Sequence, residues 1–338
     1  DGDKSGMQAD DAPMSLEAYV ERVLKYPTAD ASGPRYLLAA IESQGTRTVR
    51  ERGKTLDRYR FFDDPPNDGE HAVLGNTTVL NAFVDDLRAA AAGRGNNEKI
   101  VWIDGPTATG KSEFKRCLVT GLREFSKTDT GRRYTVEWNV TGTRDSVRSL
   151  SYGSSGDTTA WYRSPVQANP LSVFPEDVRD EIADLVADQA AYPITVDADL
   201  DPFSREAYET LESKYRDEGQ QDLFSAITER DHLRVTSYIV DVGQGIGVLH
   251  AEDDGTPKER LVGSWMSGMV RELDSRGRKN PQAFSYDGVL SQGNGVATIV
   301  EDASQHAELL RRLIKVPDEN RVKLDKGIGL DVDTQVIM

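Results

Sequence analysis

Eight residues constrain this chain more than anything else in it. Gly105-Pro106-Thr107-Ala108-Thr109-Gly110-Lys111-Ser112 fits the pattern G-x-x-x-x-G-K-[ST], whose glycines let main-chain N–H groups curl around phosphate oxygens. The flanks are what such a loop needs. Lys99 to Asp104 is a short β-branched and aromatic run that reads as a buried strand. Glu113 to Phe125 then carries Phe114, Cys117, Leu118 and Leu122 at helical period. Strand, glycine-bounded bend and helix follow in the order that aims the positive end of a helix at the anion. On this reading residues 105–112 and Glu113 hold a nucleotide. Lys111 reaches the β- and γ-phosphates and the Ser112 hydroxyl holds Mg²⁺. The bland reading is a Gly-Lys-Ser turn with no ligand.

A phosphate loop binds but hydrolyses poorly without acids to hold the metal shell and polarise water. Glu301 and Asp302 close the apolar run Val296–Val300, far along the chain. The common form of such a strand end is four apolar residues and then Asp-Glu. Here the order is Glu-Asp and the run contains Thr298. One carboxylate is expected to hold Mg²⁺ through water and the other to polarise the attacking water, with the two roles unassigned. The alternative is a solvated acidic cap on the helix that starts at Ala303.

Composition narrows the other possibilities. With 41 Lys+Arg against 57 Asp+Glu, the 338 residues carry a formal charge of −16. Such a field repels phosphate backbones and anionic lipid, so neither nucleic acid nor a membrane is an expected partner. No apolar run approaches the ~18 residues of a membrane helix, and the start is not that of a signal peptide, so a cytoplasmic location is expected. One cysteine and four scattered histidines give no disulfide framework and no His- or Cys-built metal centre. The charge is made of 35 Asp and 22 Glu against 28 Arg and only 13 Lys. That is the surface of a protein working in concentrated salt, or else of an ordinary acidic cytoplasmic protein.

Along the rest of the chain, residues 1–14 read as a flexible leader, and the start without Met suggests a piece of a longer protein. Residues 15–72 read as an N-terminal helical segment, with helices from Ser15 and over Pro34–Ser43, and a loop over 60–74. A longer helix is expected from Asn76 or Thr77 to about Ala92. Further strands are expected at Arg133–Val140, Arg234–Val242, Gly247–His250 and Thr334–Met338, with loop over 141–165. Helices are expected after Pro175, over Leu261–Leu273 and from Ala303 to about Lys315. Gly243-x-Gly245-x-Gly247 reads as a hairpin turn rather than a dinucleotide fingerprint. Cys117, Trp102, Tyr134 and Trp138 read as core, Arg132-Arg133 as a solvated turn, and His306 as bystander. The fold class expected is α/β: a three-layer phosphate-loop ATPase core on 73–338, with an inserted lobe at about 141–290.

Taken in order, these stretches resemble the PrkA family of serine protein kinases, whose N-terminal half is an AAA-like ATPase module. Ser164-Pro165-Val166 with Asn169-Pro170-Leu171 is similar to the family's Ser-Pro-Val…Pro-Leu stretch. Asn280 to Leu290 is similar to its Ala-Tyr-Ser-Tyr-Ser-Gly-Ala-Leu segment, and Gly295 to Glu301 to its Gly-Leu-x-x-Phe-Val-Glu strand. The resemblance implies an ATP- and Mg²⁺-dependent module, with Glu301 as the metal-side carboxylate. It also implies assembly of several copies through that module, and a sensor residue, arginine finger, lid domain and C-terminal region beyond Met338. With the composition it points to a haloarchaeal member. Two other activities fit the same residues: an ATP-dependent protein remodeller or protease, and a scaffold gated by nucleotide. The acidic strand end argues against the scaffold, because a mere binder has little need of a carboxylate to activate water.

Overall fold

The computed structural model describes residues 12–93, 100–105, 110–139, 161–187, 194, 198–250, 252–253, 255–264, 284–314, 316, 321–323 and 329–338. Pro106–Thr109, residues 141–160 of the loop expected over 141–165, and most of the helix expected over Leu261–Leu273 lie outside them; Trp161–Arg163 of that expected loop form a strand instead.

The chain opens with α1 (Leu16–Lys25), capped by the Ser15 hydroxyl, which accepts from the Ala18 N–H at 3.2 Å. α2 (Gly33–Ser43) follows, then a hairpin of β1 (Thr46–Glu51) and β2 (Lys54–Tyr59). α3 (Thr77–Ala91), β3 (Ile100–Val101) and α4 (Lys111–Ser126) come next. β4 (Arg133–Asn139), β5 (Trp161–Arg163), α5 (Glu176–Ala187), α6 (Pro202–Asp217) and β6 (Leu233–Tyr238) form the middle of the chain. The short β7 (Asp241–Val242) leads through Gly243 into β8 (Gly245–Leu249), which pairs with it in parallel rather than as the expected hairpin, and β9 (Ala297–Val300) lies beside β8. A small antiparallel pair, β10 (Arg321–Lys323) with β11 (Gly329–Asp331), precedes β12 (Gln335–Ile337).

One sheet carries the architecture. Its strands run in the order β3-β12-β9-β8-β7, and every neighbouring pair is parallel. Parallel strands need cover on both faces, and both faces have it. Val101, Ile246, Ile299 and Ile337 pack with α2, α3 and α4 in one apolar cluster. Leu249, Val300 and Val336 pack on the opposite side with Leu261, Leu290, Leu309 and Leu313. The result is a helix–sheet–helix α/β sandwich of the Rossmann or phosphate-loop layout. The expected strands at the end of the chain fall in it, with β12 inserted between β3 and β9.

The strand expected at Arg133–Val140 is present but belongs elsewhere. β4 is the centre of an antiparallel sheet ordered β5-β4-β6, and six of its seven residues are buried. Trp138, Tyr134, Val136, Leu233 and Val235 form a second core with Leu16, Tyr19 and Val23 of α1 and with residues of α5 and α6.

Packing redraws the expected boundaries. Residues 15–72 are not only helical: they include the β1–β2 hairpin and two short 3₁₀ turns, Arg60–Asp63 and Pro65–Asn67, in place of a plain loop. Nor do they form a unit of their own. α2 shares its apolar face with the parallel sheet, and a Cβ at Gly33 would lie 2.5 Å from the Val296 carbonyl oxygen, a contact only glycine allows. The second core draws on α1 and β4, outside 141–290, while β8 inside that range belongs to the parallel sheet.

Arg133 corrects another expectation. It is buried, and its guanidinium donates to the carbonyls of Ala31 (2.8 Å), Ala29 (3.3 Å) and Gly295 (2.7 Å) while lying over the Tyr36 ring. A planar fork of donors can satisfy carbonyls from two segments at once, so it joins the two sheets rather than facing water. Asp30 lies at the same joint. Asn169 Nδ2 donates to its carboxylate, and burial pushes that carboxyl up to about 7 against the pull of Asn169, Arg133 and Arg35.

Candidate functional site

Where a parallel sheet ends, the carboxyl ends of its strands frame a crevice that ligands use. Here β3, β12 and β9 all end at one cavity of about 320 Å³. Its walls come from Trp102, Ile103 and Asp104 after β3, Lys111, Ser112 and Lys115 on α4, Glu301 and Asp302 after β9, and Met338 after β12. The strand pairing carries past the formal strand ends: the Ile103 N–H donates to the Met338 carbonyl (2.7 Å), and the Met338 N–H to that of Val101 (2.9 Å).

α4 begins at this crevice for local reasons. Gly110 has φ +91°, a left-handed conformation that a side chain would strain, and Lys111 opens the helix directly after it. Phe114, Cys117, Leu118, Leu122 and Phe125 then turn inward. Burial pushes the Cys117 thiol up to about 12, and its Sγ lies 3.0 Å from the Phe61 carbonyl, as a small buried hydrophobe would. That inward face fixes the outward one. Lys111 and Ser112 are exposed at the cavity, and Lys111 Nζ donates to the Gly105 carbonyl at 2.8 Å.

At the other wall the Glu301 N–H donates to the Leu249 carbonyl (2.9 Å), extending the β8–β9 pairing to the acid itself. Its carboxylate takes a hydrogen bond from Lys115 Nζ on one oxygen and from His250 Nδ1 on the other, the latter at 2.6 Å. An ionised carboxylate only accepts, so Nδ1 carries the proton. Burial pushes the Glu301 carboxyl up, but the Lys115 ammonium and His250 outweigh it and hold the carboxyl below its ordinary range. Asp302 is exposed at the same cavity in a left-handed conformation (φ +48°). Its side chain makes no capping hydrogen bond to the turn that follows.

The structure thus brings Lys111, Ser112, Glu301 and Asp302 together, along with Gly105 at the foot of the bend. Pro106, Thr107, Ala108 and Thr109 lie outside the described residues. Glu113 does not join them: it is absent from the cavity wall, and its carboxylate binds His71 Nδ1 (3.0 Å) and Arg116 (2.9 Å). Two residues past Lys111, the helical turn of about 100° per residue has carried it to another face. Trp102, expected in the core, is 55% exposed and lines the cavity. Asp104, Lys115 and His250 are the residues that sequence reasoning missed. Lys115 had a signal, being one helical turn beyond Lys111. His250 had none until β8 was known to lie beside β9.

The donor set suits a magnesium nucleotide. Mg²⁺ keeps most of its waters and takes one or two carboxylates plus phosphate oxygens, which is what the Ser112 hydroxyl and the two acids offer. No group of three or more His, Cys, Asp or Glu that could hold a metal ion by itself exists among the described residues. No helix among them is long and apolar enough to cross a membrane. No family model, curated protein or solved structure matches the chain.

Proposed function

We propose that this chain is an ATP-binding and ATP-hydrolysing module with an AAA+-like core, working in a PrkA-type serine protein kinase as its sequence resemblance implies. One observation carries the reading. Lys111 and Ser112 at the start of α4 and the acid at the end of β9 line one cavity, although Lys115 and Glu301 are 186 residues apart in the chain.

In this reading the main-chain amides of the 105–112 bend bind the triphosphate, and the start of α4 adds its dipole. Lys111 Nζ exchanges the Gly105 carbonyl for phosphate oxygens, a stronger charge-assisted partner. Ser112 and one of the two acids would hold the Mg²⁺ shell, which would supply neutralisation of the phosphate charge when bound. Asp302 has a carboxylate with no hydrogen bond or ion pair among the described residues, and it is available to that shell. Glu301, once a carboxylate oxygen leaves Lys115 or His250, orients and polarises the attacking water.

The test pairs two variants. Lys111→Ala should abolish ATP binding measured by calorimetry. Glu301→Gln should bind as before but release inorganic phosphate about 10²-fold more slowly. Normal binding by Lys111→Ala refutes the nucleotide site, and normal turnover by Glu301→Gln moves the water-activating role to Asp302. With γ-labelled ATP and an unstructured protein, label on serine supports the kinase. Cleaved peptides without label, or free phosphate alone, favour a protease or a remodeller.

A further inference from the structure

The cavity straddles the edge of the parallel sheet, and its two sides carry different chemistry. Side chains alternate across a strand, and the hydrogen bonds of Val101 and Ile103 with Met338 keep the end of β3 strand-like. Val101 and Ile103 pack into the cluster of α2, α3 and α4, while Ile100 packs into that of Leu309 and Leu313. Trp102 and Asp104 therefore share the side of Ile100, away from α4. Across the edge, Lys111, Ser112 and Lys115 come from α4 itself. Lys115 draws Glu301 to that same side.

In phosphoryl transfer the attacking and leaving oxygens lie roughly in line. A triphosphate held at the start of α4 thus takes its acceptor from the other side, where Trp102 and Asp104 stand. Asp104 is exposed on the cavity wall and makes no hydrogen bond or ion pair among the described residues. Glu301, by contrast, has both carboxylate oxygens engaged, by Lys115 and by His250. A water molecule needs no apolar platform, yet the Trp102 indole stands 55% exposed at the mouth of a polar crevice. Such a ring suits a partner with apolar surface to lay on it. At about 320 Å³ the cavity is small for a nucleotide and a whole acceptor together. The acceptor therefore reaches in by a short arm and rests its remainder on the indole.

We infer that Trp102 and Asp104 form the acceptor subsite of the transfer, taking the hydroxyl of an extended peptide with an apolar residue beside it. The hydroxyl oxygen bonds to the γ-phosphorus while the bond from that phosphorus to the β–γ bridging oxygen breaks. ADP leaves with the electron pair, and the hydroxyl proton passes to the Asp104 carboxylate. Trp102 holds the neighbouring apolar side chain, so it sets which hydroxyl is presented. Glu301 serves water, and Asp104 serves the peptide. The inference rests on the nucleotide reading and goes beyond it by assigning the residues that meet the acceptor.

The test follows γ-labelled ATP on two peptides of one serine each, flanked by leucine or by glycine, with phosphate release to water measured alongside. The wild type should label the leucine-flanked peptide about 10-fold better in kcat/KM. Trp102→Ala should lose that preference and Trp102→Phe should keep it. Asp104→Asn should lower the ratio of labelled serine to released phosphate about 10²-fold, whereas Glu301→Gln should raise it. A wild type that labels no serine or shows no preference overturns the subsite. So does a preference kept by Trp102→Ala, or a ratio unmoved in Asp104→Asn. Calorimetry with ATP separates the two failures. Where the wild type binds ATP, those results count against the acceptor subsite alone; a wild type that binds none overturns the nucleotide reading, and the subsite with it.

Discussion

The antiparallel sheet and the carboxyl edge of the parallel sheet treat the same residue type in opposite ways. Trp138, on the central antiparallel strand β4, has no accessible surface, whereas Trp102, one residue past β3, is 55% exposed at the cavity. Both sit in apolar runs of sequence, and both read as core. What separates them is what lies beyond the backbone. β4 has partner strands on both edges and α1 nearby, so its side chains meet protein in every direction. The run containing Trp102 leaves the sheet at a crevice, and past that point no layer of the described residues covers it. Core on one side, crevice on the other: the first region holds the fold together and the second is where charge collects.

The variants that would break this contrast range from large effects to nearly none. Trp138→Ala should cost about 3–5 kcal/mol of unfolding free energy in denaturant titration. A cost near that of a surface change would mean the second core is not cooperative with the rest. Asp30→Asn probes the joint between the two sheets. The Asp30 carboxyl is raised to about 7 in the fold, so the folded chain keeps a proton that the unfolded chain loses near the ordinary carboxylate range. Its contribution is therefore full at low pH and falls as pH rises towards about 7, with a slope of about 1.4 kcal/mol per pH unit. The Asn variant should lose that slope; an unchanged pH profile would place the proton elsewhere.

Smaller effects are expected at the cavity. Lys115→Met removes the ammonium that holds the Glu301 carboxyl down, so that carboxyl should titrate at higher pH. Phosphate release should then fail sooner as pH drops, while the wild type keeps its activity to lower pH. An acid limb that does not move would show that the Lys115 contact does not govern the working state of Glu301. Trp102→Ala should leave stability within about 0.5 kcal/mol. A loss of several kcal/mol there would erase the contrast between the two tryptophans.

Much of the site was readable in order along the chain, because its halves are local. A strand, a glycine bend and an amphipathic helix announce themselves by period and by Gly110, and an apolar run closed by Glu301-Asp302 marks a strand end. The hairpin was not readable. Its tip is Arg-Gly rather than the Asn-Gly or Asp-Gly that usually announces such turns, and its strands alternate only weakly. Arg132-Arg133 misled for a different reason: charge in sequence suggests solvent, and only carbonyls converging from Ala29, Ala31 and Gly295 make burial tolerable for Arg133.

The chain alone settles where the backbone must bend at Gly110, which helix face turns inward, and that two acids end a buried strand. Each of these depends on neighbours within a few residues, where steric limits and side-chain period act directly. Three-dimensional packing settled the rest: that β12 inserts between β3 and β9, that β4 leaves for another sheet, and that Lys115 and His250 close on Glu301. Those outcomes depend on contacts between segments far apart in sequence, and no local pattern fixes which distant partner a buried strand or a carboxylate will meet.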